Sequence, residues 1–367
     1  MRPLVSVILP SYNHAAFVGA AIRSVLDQAY GGEVEVLVTD DGSHDGTPDI
    51  VRAISDKRVS LEILPENRGA SIAANSSIRR ARGEFICTLA SDDFFLPDKI
   101  EKQVAFLEAK PDVAAVFGMP KLIDERGLPL PPEGGFPGVN FRTPLLEGLG
   151  PRRQWLRYFF VHGNCLCQPT AMLRRAALER IGCFDPRLAS LPDFDLWVRL
   201  CMEHDIHVMP DELTALRIRD SSLNQSAPRR DSILRSFIEH FEILKHYRRL
   251  PRETVLEIFG VDLAEHDARM DASGDVLLVQ VALLLGSNPA HQLFALDTMF
   301  NRAAPSDGDY RLLHDLSGAV DVFGTGARDE ADALRKRVAG SEAEIARLAR
   351  DLAQARAEIA RLREARP

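Results

Sequence analysis

The sequence predicts an α/β protein with a mostly parallel sheet, followed by a helical region and a C-terminal coiled-coil helix. Two observations predict the α/β part. Apolar runs of strand length alternate with segments of helical periodicity, and the first three runs each end in a cluster of polar residues. Strands that alternate with helices are typical of parallel sheets covered on both faces. The apolar runs are residues 4–9, 34–39 and 84–90.

Helical segments follow these strand-like runs. Residues 15–29 carry apolar side chains at helical spacing, and Thr47 and Pro48 have the residue types of a helix N-cap and first turn. Residues 71–81 form a third candidate helix. Because this topology places the carboxyl ends of the strands side by side, we expect Asp41 and Asp93 to share one crevice.

Pairs of adjacent carboxylates end two of the strands. Asp40 and Asp41 follow the second run, and Asp92 and Asp93 follow the third. Paired carboxylates at a strand end suit a hard divalent cation, which in proteins commonly bridges to substrate phosphates. The pairs therefore indicate an enzyme that acts on a nucleotide-activated substrate. Each pair also has a structural interpretation, the first as a turn and the second as the acidic start of a helix.

The first part of the chain resembles glycosyltransferase family 2, whose members have the GT-A (Rossmann-like) fold. The resemblance covers about residues 3–220, and it depends on five motifs in order rather than on any one of them. The motifs are residues 5–13, 39–47, 67–69 with 81–84, 91–93 and 192–200.

The resemblance implies roles for individual residues. Asp93 falls on the metal-binding carboxylate of the family, and Asp193 falls on the general base. Asp195 lies two residues after Asp193. One of these carboxylates is expected to cap the helix and the other to act as base. The motif register favours Asp193 as the base. The residues expected to bind the nucleotide-sugar are Pro10, Tyr12, Asp41, Arg68, Asp92 and Arg217.

The chain departs from the family pattern at two places. Pro192 stands where an acidic residue is frequent, and Arg219 stands at about the place of a frequent histidine. Arginine does not ligate metals but binds diphosphate, so Arg217 and Arg219 are candidate phosphate contacts. The other interpretation is that both are solvated cations at a strand end. His14 is either a further group near the phosphates or a surface histidine at a helix start.

The predicted function is metal-dependent, inverting glycosyl transfer. A divalent metal, Mn²⁺ or Mg²⁺, would stabilise the leaving diphosphate, and a general base would take the proton of the acceptor hydroxyl. The resemblance favours a UDP-sugar as donor and a glycan or lipid-linked acceptor in surface polysaccharide synthesis. The alternative is a catalytically silent protein that binds nucleotide-sugar or serves as a scaffold. Another nucleotide enzyme, such as a nucleotidyltransferase or dehydrogenase, is disfavoured because residues 10–14 contain no glycine.

The composition predicts a cytoplasmic protein that does not bind nucleic acid. The chain has 367 residues and a net charge of −8, which disfavours non-specific binding to nucleic acid. The sequence starts without a signal-like segment, and its longest apolar run, residues 276–285, is too short to cross a bilayer. The five cysteines are irregularly spaced, which predicts reduced, mostly buried thiols rather than a zinc site.

Two segments in the middle of the chain have open interpretations. Residues 119–150 are rich in proline and glycine, and they predict a long loop on the acceptor side. Residues 152–160 combine arginines with aromatic residues. They form either a helix that buries its aromatic side chains or a peripheral contact with the inner face of a membrane or a lipid-linked acceptor.

Three domains are predicted: residues 1–225 as the GT-A domain, 226–326 as a helical accessory domain and 329–366 as a coiled-coil tail. Apolar residues in the tail alternate three and four apart, with β-branched residues at a and leucine at d, which favours a parallel two-stranded coiled coil. The tail therefore predicts a homodimer or a coiled-coil partner; a helix packed on its own chain, or a solvated one, is the other interpretation. Ser341 and Ala355 at d weaken this pairing. The heptad residues are Leu334, Val338, Ser341, Ile345, Leu348, Leu352, Ala355, Ile359 and Leu362.

Overall fold

The computed structural model describes residues 2–131, 141–219 and 230–301, except for residues 267, 269 and 287. All of them belong to one compact unit, Met1–Pro305. The predicted coiled coil and the predicted boundary at residue 225 lie outside the described residues, and so does the part of the predicted loop from 132 to 140.

An eight-stranded mixed sheet forms the centre of this unit. The strands are β1 (Val5–Ser11), β2 (Val34–Asp40), β3 (Val59–Ile63), β4 (Phe85–Thr88), β5 (Phe94–Phe95), β6 (Val113–Ile123), β7 (Met172–Arg174) and β8 (Asp205–Arg217). Their order is β3-β2-β1-β4-β7-β6-β8-β5. The first four strands of this order are parallel, as are β6 and β8, whereas β7 and β5 run antiparallel to their partners. The predicted α/β fold with a mostly parallel sheet is confirmed.

Helices cover the sheet and continue beyond it. They are α1 (Val18–Leu26), α2 (Thr47–Arg52), α3 (Ala70–Arg80), α4 (Lys99–Ala109), α5 (Thr143–Leu146), α6 (Arg152–His162), α7 (Arg175–Ile181), α8 (Pro192–Glu203), α9 (Arg230–Leu244), α10 (Arg252–Glu265), α11 (Gly274–Leu284) and α12 (Pro289–Phe300). In the described part of the chain, no helix is long and apolar enough to cross a bilayer.

Two local predictions differ from the structure. Gly46 rather than Thr47 is the N-cap of α2, because the Thr47 hydroxyl donates to Asp45 at 2.5 Å and accepts the N–H of His14 at 2.9 Å. The predicted loop at 119–150 begins only after Ile123, because the preceding residues continue β6 and pair with β8.

The aromatic side chains of α6 pack in two directions, with Phe159 against Phe194 of α8 and Phe160 against the helical region. The Phe160 ring lies at the centre of that contact, with ring centroids 4.8 Å from Tyr247, 5.3 Å from Phe259 and 5.7 Å from Phe294. Trp155 is also fully buried. This burial favours the interpretation of residues 152–160 as a helix that packs its largest aromatic rings inside the protein.

The arginines of α6 likewise join the helical region to the α/β part. Arg157 forms an ion pair with Asp262 on α10 at 2.6 Å, and Arg153 pairs with Glu257 on the same helix at 2.6 Å. The helices from 230 to 301 are thus held to α6 by an aromatic core and by ion pairs at its edge.

Candidate active site

The carboxyl ends of β1, β2 and β4 lie at one edge of the sheet. Ser11 at the end of β1 is in register with Asp40 at the end of β2. Leu89, which follows β4, donates its N–H to the carbonyl oxygen of Ile8 in β1 at 3.0 Å. The polar residues that follow these strands are therefore neighbours, at the edge where open α/β sheets bind their ligands.

The first carboxylate pair organises the loops at this edge. Asp40 accepts hydrogen bonds from the N–H and the hydroxyl of Ser43, at 2.8 and 2.6 Å, which fits the turn interpretation. Asp41 is buried and accepts the backbone N–H groups of Arg68 and Gly69, each at 2.8 Å. The Asp41 carboxylate therefore fixes the loop before α3 against the end of β2.

Accessible groups surround these loops. Tyr12 is 41% exposed, the Arg68 side chain is exposed and Pro10 is partly buried. The Ser11 hydroxyl is buried and has no hydrogen-bond partner among the described residues. A buried polar atom without a partner is costly, so this hydroxyl marks a place where a ligand would be stabilised.

The second carboxylate pair lies where β5 and β8 meet. Asp93 is buried, and its Oδ1 accepts the backbone N–H of Arg217 at 2.8 Å. Burial, together with the neighbouring Asp92 carboxylate, raises the pKa of Asp93 well above its usual value. The Arg217 guanidinium donates to the carbonyl oxygens of Asp92 at 2.8 Å, Asp124 at 3.0 Å and Glu125 at 2.8 Å. Arg217 is thus a buried anchor of this strand end and not a solvated cation.

His14 and Arg219 approach the same carboxylates. His14 Nδ1 lies 2.6 Å from Ser91 Oγ, and its Nε2 lies 3.0 Å from Arg219 Nη1. Both His14 Nε2 and Arg219 Nη1 are 3.8 Å from Asp92 Oδ2. Burial lowers the pKa of His14, although the Asp92 charge opposes this effect. His14 therefore belongs to the strand-end cluster rather than to a surface helix start.

The chemistry of Asp92 and Asp93 fits a divalent cation. The two adjacent carboxylates repel each other, and this repulsion adds to the effect of burial on Asp93. A cation bound there would remove this electrostatic cost. Among the residues that the structure describes, no three His, Cys, Asp or Glu side chains form a complete metal shell. A site with one or two carboxylates is the usual arrangement when substrate phosphates complete the shell.

Asp193 lies in the first turn of α8. Its Oδ2 accepts a hydrogen bond from Asn164 Nδ2 at 2.9 Å, and Asn164 is itself fixed because its Oδ1 accepts the N–H of Leu166 at 3.0 Å. Burial raises the pKa of Asp193 to about 6, against the opposing hydrogen bond from the Phe194 N–H. A carboxyl group with this pKa is a competent proton acceptor near neutral pH.

Asp195, two residues further along α8, has a different environment. Its Oδ2 accepts Arg199 Nε at 2.8 Å and its Oδ1 is 2.7 Å from His246 Nε2. Although burial disfavours its charge, the hydrogen bond from His246 and the Arg199 guanidinium lower the pKa of Asp195. Neither Asp193 nor Asp195 is the N-cap of α8, which is Leu191.

The two carboxylates Asp93 and Asp193 act on one neighbouring side chain. Cys167 is buried, which raises the pKa of its thiol, and the charges of Asp93 and Asp193 raise it further. Cys167 lies in the segment between α6 and β7, which is fixed to the end of β4 by a 2.7 Å hydrogen bond from Thr88 to Gln168. The charges of both carboxylates therefore act on this segment.

Sequence analysis missed Asn164 and His246. Asn164 follows the glycine that ends α6, and no motif distinguishes it from an ordinary helix-terminal residue. His246 lies far along the chain in the helical region, where the sequence showed no catalytic constellation. Only the packing of that region against α8 reveals the contact with Asp195.

Comparison with known sequences identifies the class of protein. Residues 6–182 match the model of the glycosyl transferase family 2. An uncharacterized glycosyltransferase of Rickettsia prowazekii is 30% identical over 234 residues, which are 61% of this chain and 68% of the relative. The putative teichuronic acid biosynthesis glycosyltransferase TuaG of Bacillus subtilis is 39% identical over 131 residues, 35% of this chain and 51% of TuaG. The chain therefore matches only about half of the length of TuaG.

Solved structures show the same fold. TarS of S. aureus, crystallised as residues 1–349 with UDP-GlcNAc, has a TM-score of 0.52 and 21% identity, covering 80% of each chain. Together, the fold and the sequence matches show that this chain belongs to glycosyltransferase family 2.

Proposed function

We propose that this protein is a metal-dependent, inverting glycosyltransferase that uses a UDP-sugar as donor. The observation that carries the proposal is a pair of carboxylates in unlike environments, one held at the end of β8 and one in the first turn of α8. Asp93 is buried beside a second carboxylate, whereas Asp193 is partly buried beside a neutral amide. The first environment suits a cation and the second suits a proton acceptor.

The donor would bind over the carboxyl ends of β1 and β2. Pro10, Tyr12 and the Ser11 hydroxyl lie on one side of this edge, and the Asp41 loop with Arg68 lies on the other. Arg219, near His14 and Asp92, supplies positive charge for the diphosphate. Arg217 supports the site from behind, because its guanidinium donates to the backbone carbonyl oxygen of Asp92 and its backbone N–H donates to the Asp93 carboxylate.

Asp93, with Asp92 beside it, would hold the divalent cation. When bound, the cation acts as a Lewis acid that stabilises negative charge on the leaving diphosphate. The protein groups contribute a fixed geometry, because the Arg217 N–H holds Asp93 Oδ1 at 2.8 Å.

Asp193 would act as the general base. As the acceptor oxygen forms its bond to the anomeric carbon, the hydroxyl proton passes to the Asp193 carboxylate. The bond between the anomeric carbon and the β-phosphate oxygen breaks, and its electron pair leaves with the nucleoside diphosphate. One displacement inverts the anomeric configuration. Asn164 keeps the Asp193 carboxylate oriented throughout.

The pH profile should report the protonation of Asp193. Its pKa is raised to about 6, and only the carboxylate accepts a proton, so activity is expected at pH values above 6. Below pH 6, kcat/KM should fall about tenfold per pH unit. The measurement is nucleoside-diphosphate release from pH 4.5 to 8.5, with a melting curve at each pH to exclude unfolding. A profile that stays flat down to pH 4.5 contradicts the assignment.

The acceptor is proposed to be a glycan or a lipid-linked precursor in surface polysaccharide synthesis. The name of TuaG, a relative over 131 residues, refers to teichuronic acid biosynthesis and supports this class of acceptor. All five cysteines are free and four are buried, which suits the proposed cytoplasmic location of the reaction.

Calorimetry with UDP, dTDP and GDP, each in Mn²⁺ and in EDTA, tests the donor proposal. We expect UDP to bind in Mn²⁺ and to bind at least about tenfold more weakly in EDTA. Binding of another nucleotide in Mn²⁺ would correct the donor but keep the class of enzyme. No binding of any nucleotide would contradict the proposed function and favour the scaffold alternative.

A further inference from the structure

The start of the helix that carries Asp193 is held by a side chain from outside the α/β part. The N-cap of α8, Leu191, makes no side-chain capping bond. The backbone N–H groups just before α8 donate instead to the carboxylate of Glu239 on α9. Ala189 donates to Oε1 at 2.8 Å, and Ser190 and Leu191 donate to Oε2 at 2.8 and 2.7 Å.

Glu239 is only 4% exposed, and its carboxylate accepts three backbone N–H groups of this segment. A carboxylate offers about four lone-pair sites, so one Glu side chain can satisfy all of these N–H groups. A buried charge is tolerated only where such donors compensate it. The buried Glu239 carboxylate therefore fixes the chain that leads into α8.

A second contact from the same segment reaches the first turn of α8. His246 follows α9 in a short 3-10 turn, residues Lys245–Arg249. His246 Nε2 lies 2.7 Å from Asp195 Oδ1. The two contacts therefore hold the chain on both sides of Asp193, at residues 189–191 before it and at Asp195 after it.

The segment that makes these contacts is itself anchored. The Tyr247 hydroxyl donates to the carbonyl oxygen of Leu156 on α6 at 2.7 Å, and the Tyr247 ring packs on Phe160. The same α6 leads into Asn164, the other partner of Asp193. Helix α6 thus supports both Tyr247 of the helical region and Asn164, which orients the Asp193 carboxylate.

We infer that Glu239 is a positioning residue for the transfer reaction: it sets the location of the Asp193 carboxylate by holding the chain at residues 189–191. His246 assists by holding Asp195. This inference rests on the proposed role of Asp193 as general base. It gives the helical region, which lies beyond the family match at residues 6–182, a defined part in the chemistry.

The test compares Glu239→Gln with Glu242→Gln in the full chain. Glu242 lies one turn further along α9, and its side chain, 51% exposed, contacts Lys245 at the surface. Hydrogen–deuterium exchange and UDP release from UDP-sugars are measured for both variants. In Glu239→Gln, we expect faster exchange at residues 189–191 and a kcat at least about tenfold lower, because small displacements of a catalytic group are costly. The KM for the donor should stay within about twofold of wild type, since the donor site is untouched.

The outcomes separate this inference from the proposed function. An active wild type whose kcat is unchanged in Glu239→Gln, or lowered equally in Glu242→Gln, overturns the positioning role alone. A wild type that releases no nucleoside diphosphate from any UDP-, dTDP- or GDP-sugar contradicts the proposed function, and the positioning role falls with it. If Glu239→Gln does not fold, His246→Gln replaces it, because Arg199 still pairs with Asp195 in that variant. A lowered kcat with unchanged donor KM is again expected, and an unchanged kcat overturns the inference.

Discussion

Replacing Asp193 with asparagine is expected to abolish transfer and, at the same time, to stabilise the protein at pH 8. Loss of a general base typically costs about 10²–10⁴ in rate. The pKa of Asp193 is raised to about 6, so its ionised form opposes folding above that pH. The neutral amide removes this cost, and the expected gain at pH 8 is about 1–3 kcal/mol. The gain should vanish near pH 3, where the carboxyl group is protonated in the folded and the unfolded protein alike.

Asp195→Asn is the matched control for this prediction. It is the same substitution two residues along α8, but it breaks a buried contact with Arg199 and His246. Breaking a buried ion pair by removing one partner typically destabilises a protein by about 3–5 kcal/mol. Thermal or urea unfolding at pH 8 should therefore shift in opposite directions for the two variants. A destabilised Asp193→Asn that keeps wild-type turnover would contradict the assignment of the base.

Asp93→Asn is expected to abolish the dependence of nucleotide binding on the metal. Asparagine keeps an oxygen that can accept the Arg217 N–H, so the strand end should remain folded. It lacks the charge that would hold the cation, and the affinity for UDP in Mn²⁺ should fall at least about tenfold, to the level seen in EDTA. Because burial and Asp92 raise the pKa of Asp93, the variant should also be more stable than wild type in EDTA at neutral pH.

Asp49→Asn serves as the control for Asp93→Asn. Asp49 lies on α2 with a side chain that is 80% exposed and that pairs with Arg52 at the surface. Calorimetry with UDP should give the wild-type affinity for this variant, in Mn²⁺ and in EDTA. A variant of Asp93 that still shows the full effect of Mn²⁺ would place the cation elsewhere.

The sequence was sufficient to predict the parallel strands and the carboxylates at their ends. These features depend on local patterns, because central parallel strands are continuously apolar and polar residues follow them directly. The same reasoning failed at residues 119–123, where proline and glycine composition suggested a loop although the pairing of β6 with β8 continues the strand. Tertiary pairing there overrides local composition.

The partners of the candidate site residues could not be predicted in the same way. Arg217 was expected at the phosphates, and the structure shows that its guanidinium binds backbone carbonyl oxygens. Asn164 contacts Asp193 from 29 residues earlier in the chain. Glu239 holds Ala189, just before α8, from 50 residues later. Such contacts depend on how distant elements pack, and no sequence spacing encodes them.

The most direct test of the proposed chemistry is time-resolved NMR of the sugar released from the UDP-sugar that the wild-type enzyme uses, with water as acceptor. The wild-type protein in Mn²⁺ is expected to release first the anomer of inverted configuration, and Asp193→Asn is expected to release almost none. Release of the retained anomer, or equal release by the two proteins, would contradict a single displacement assisted by Asp193.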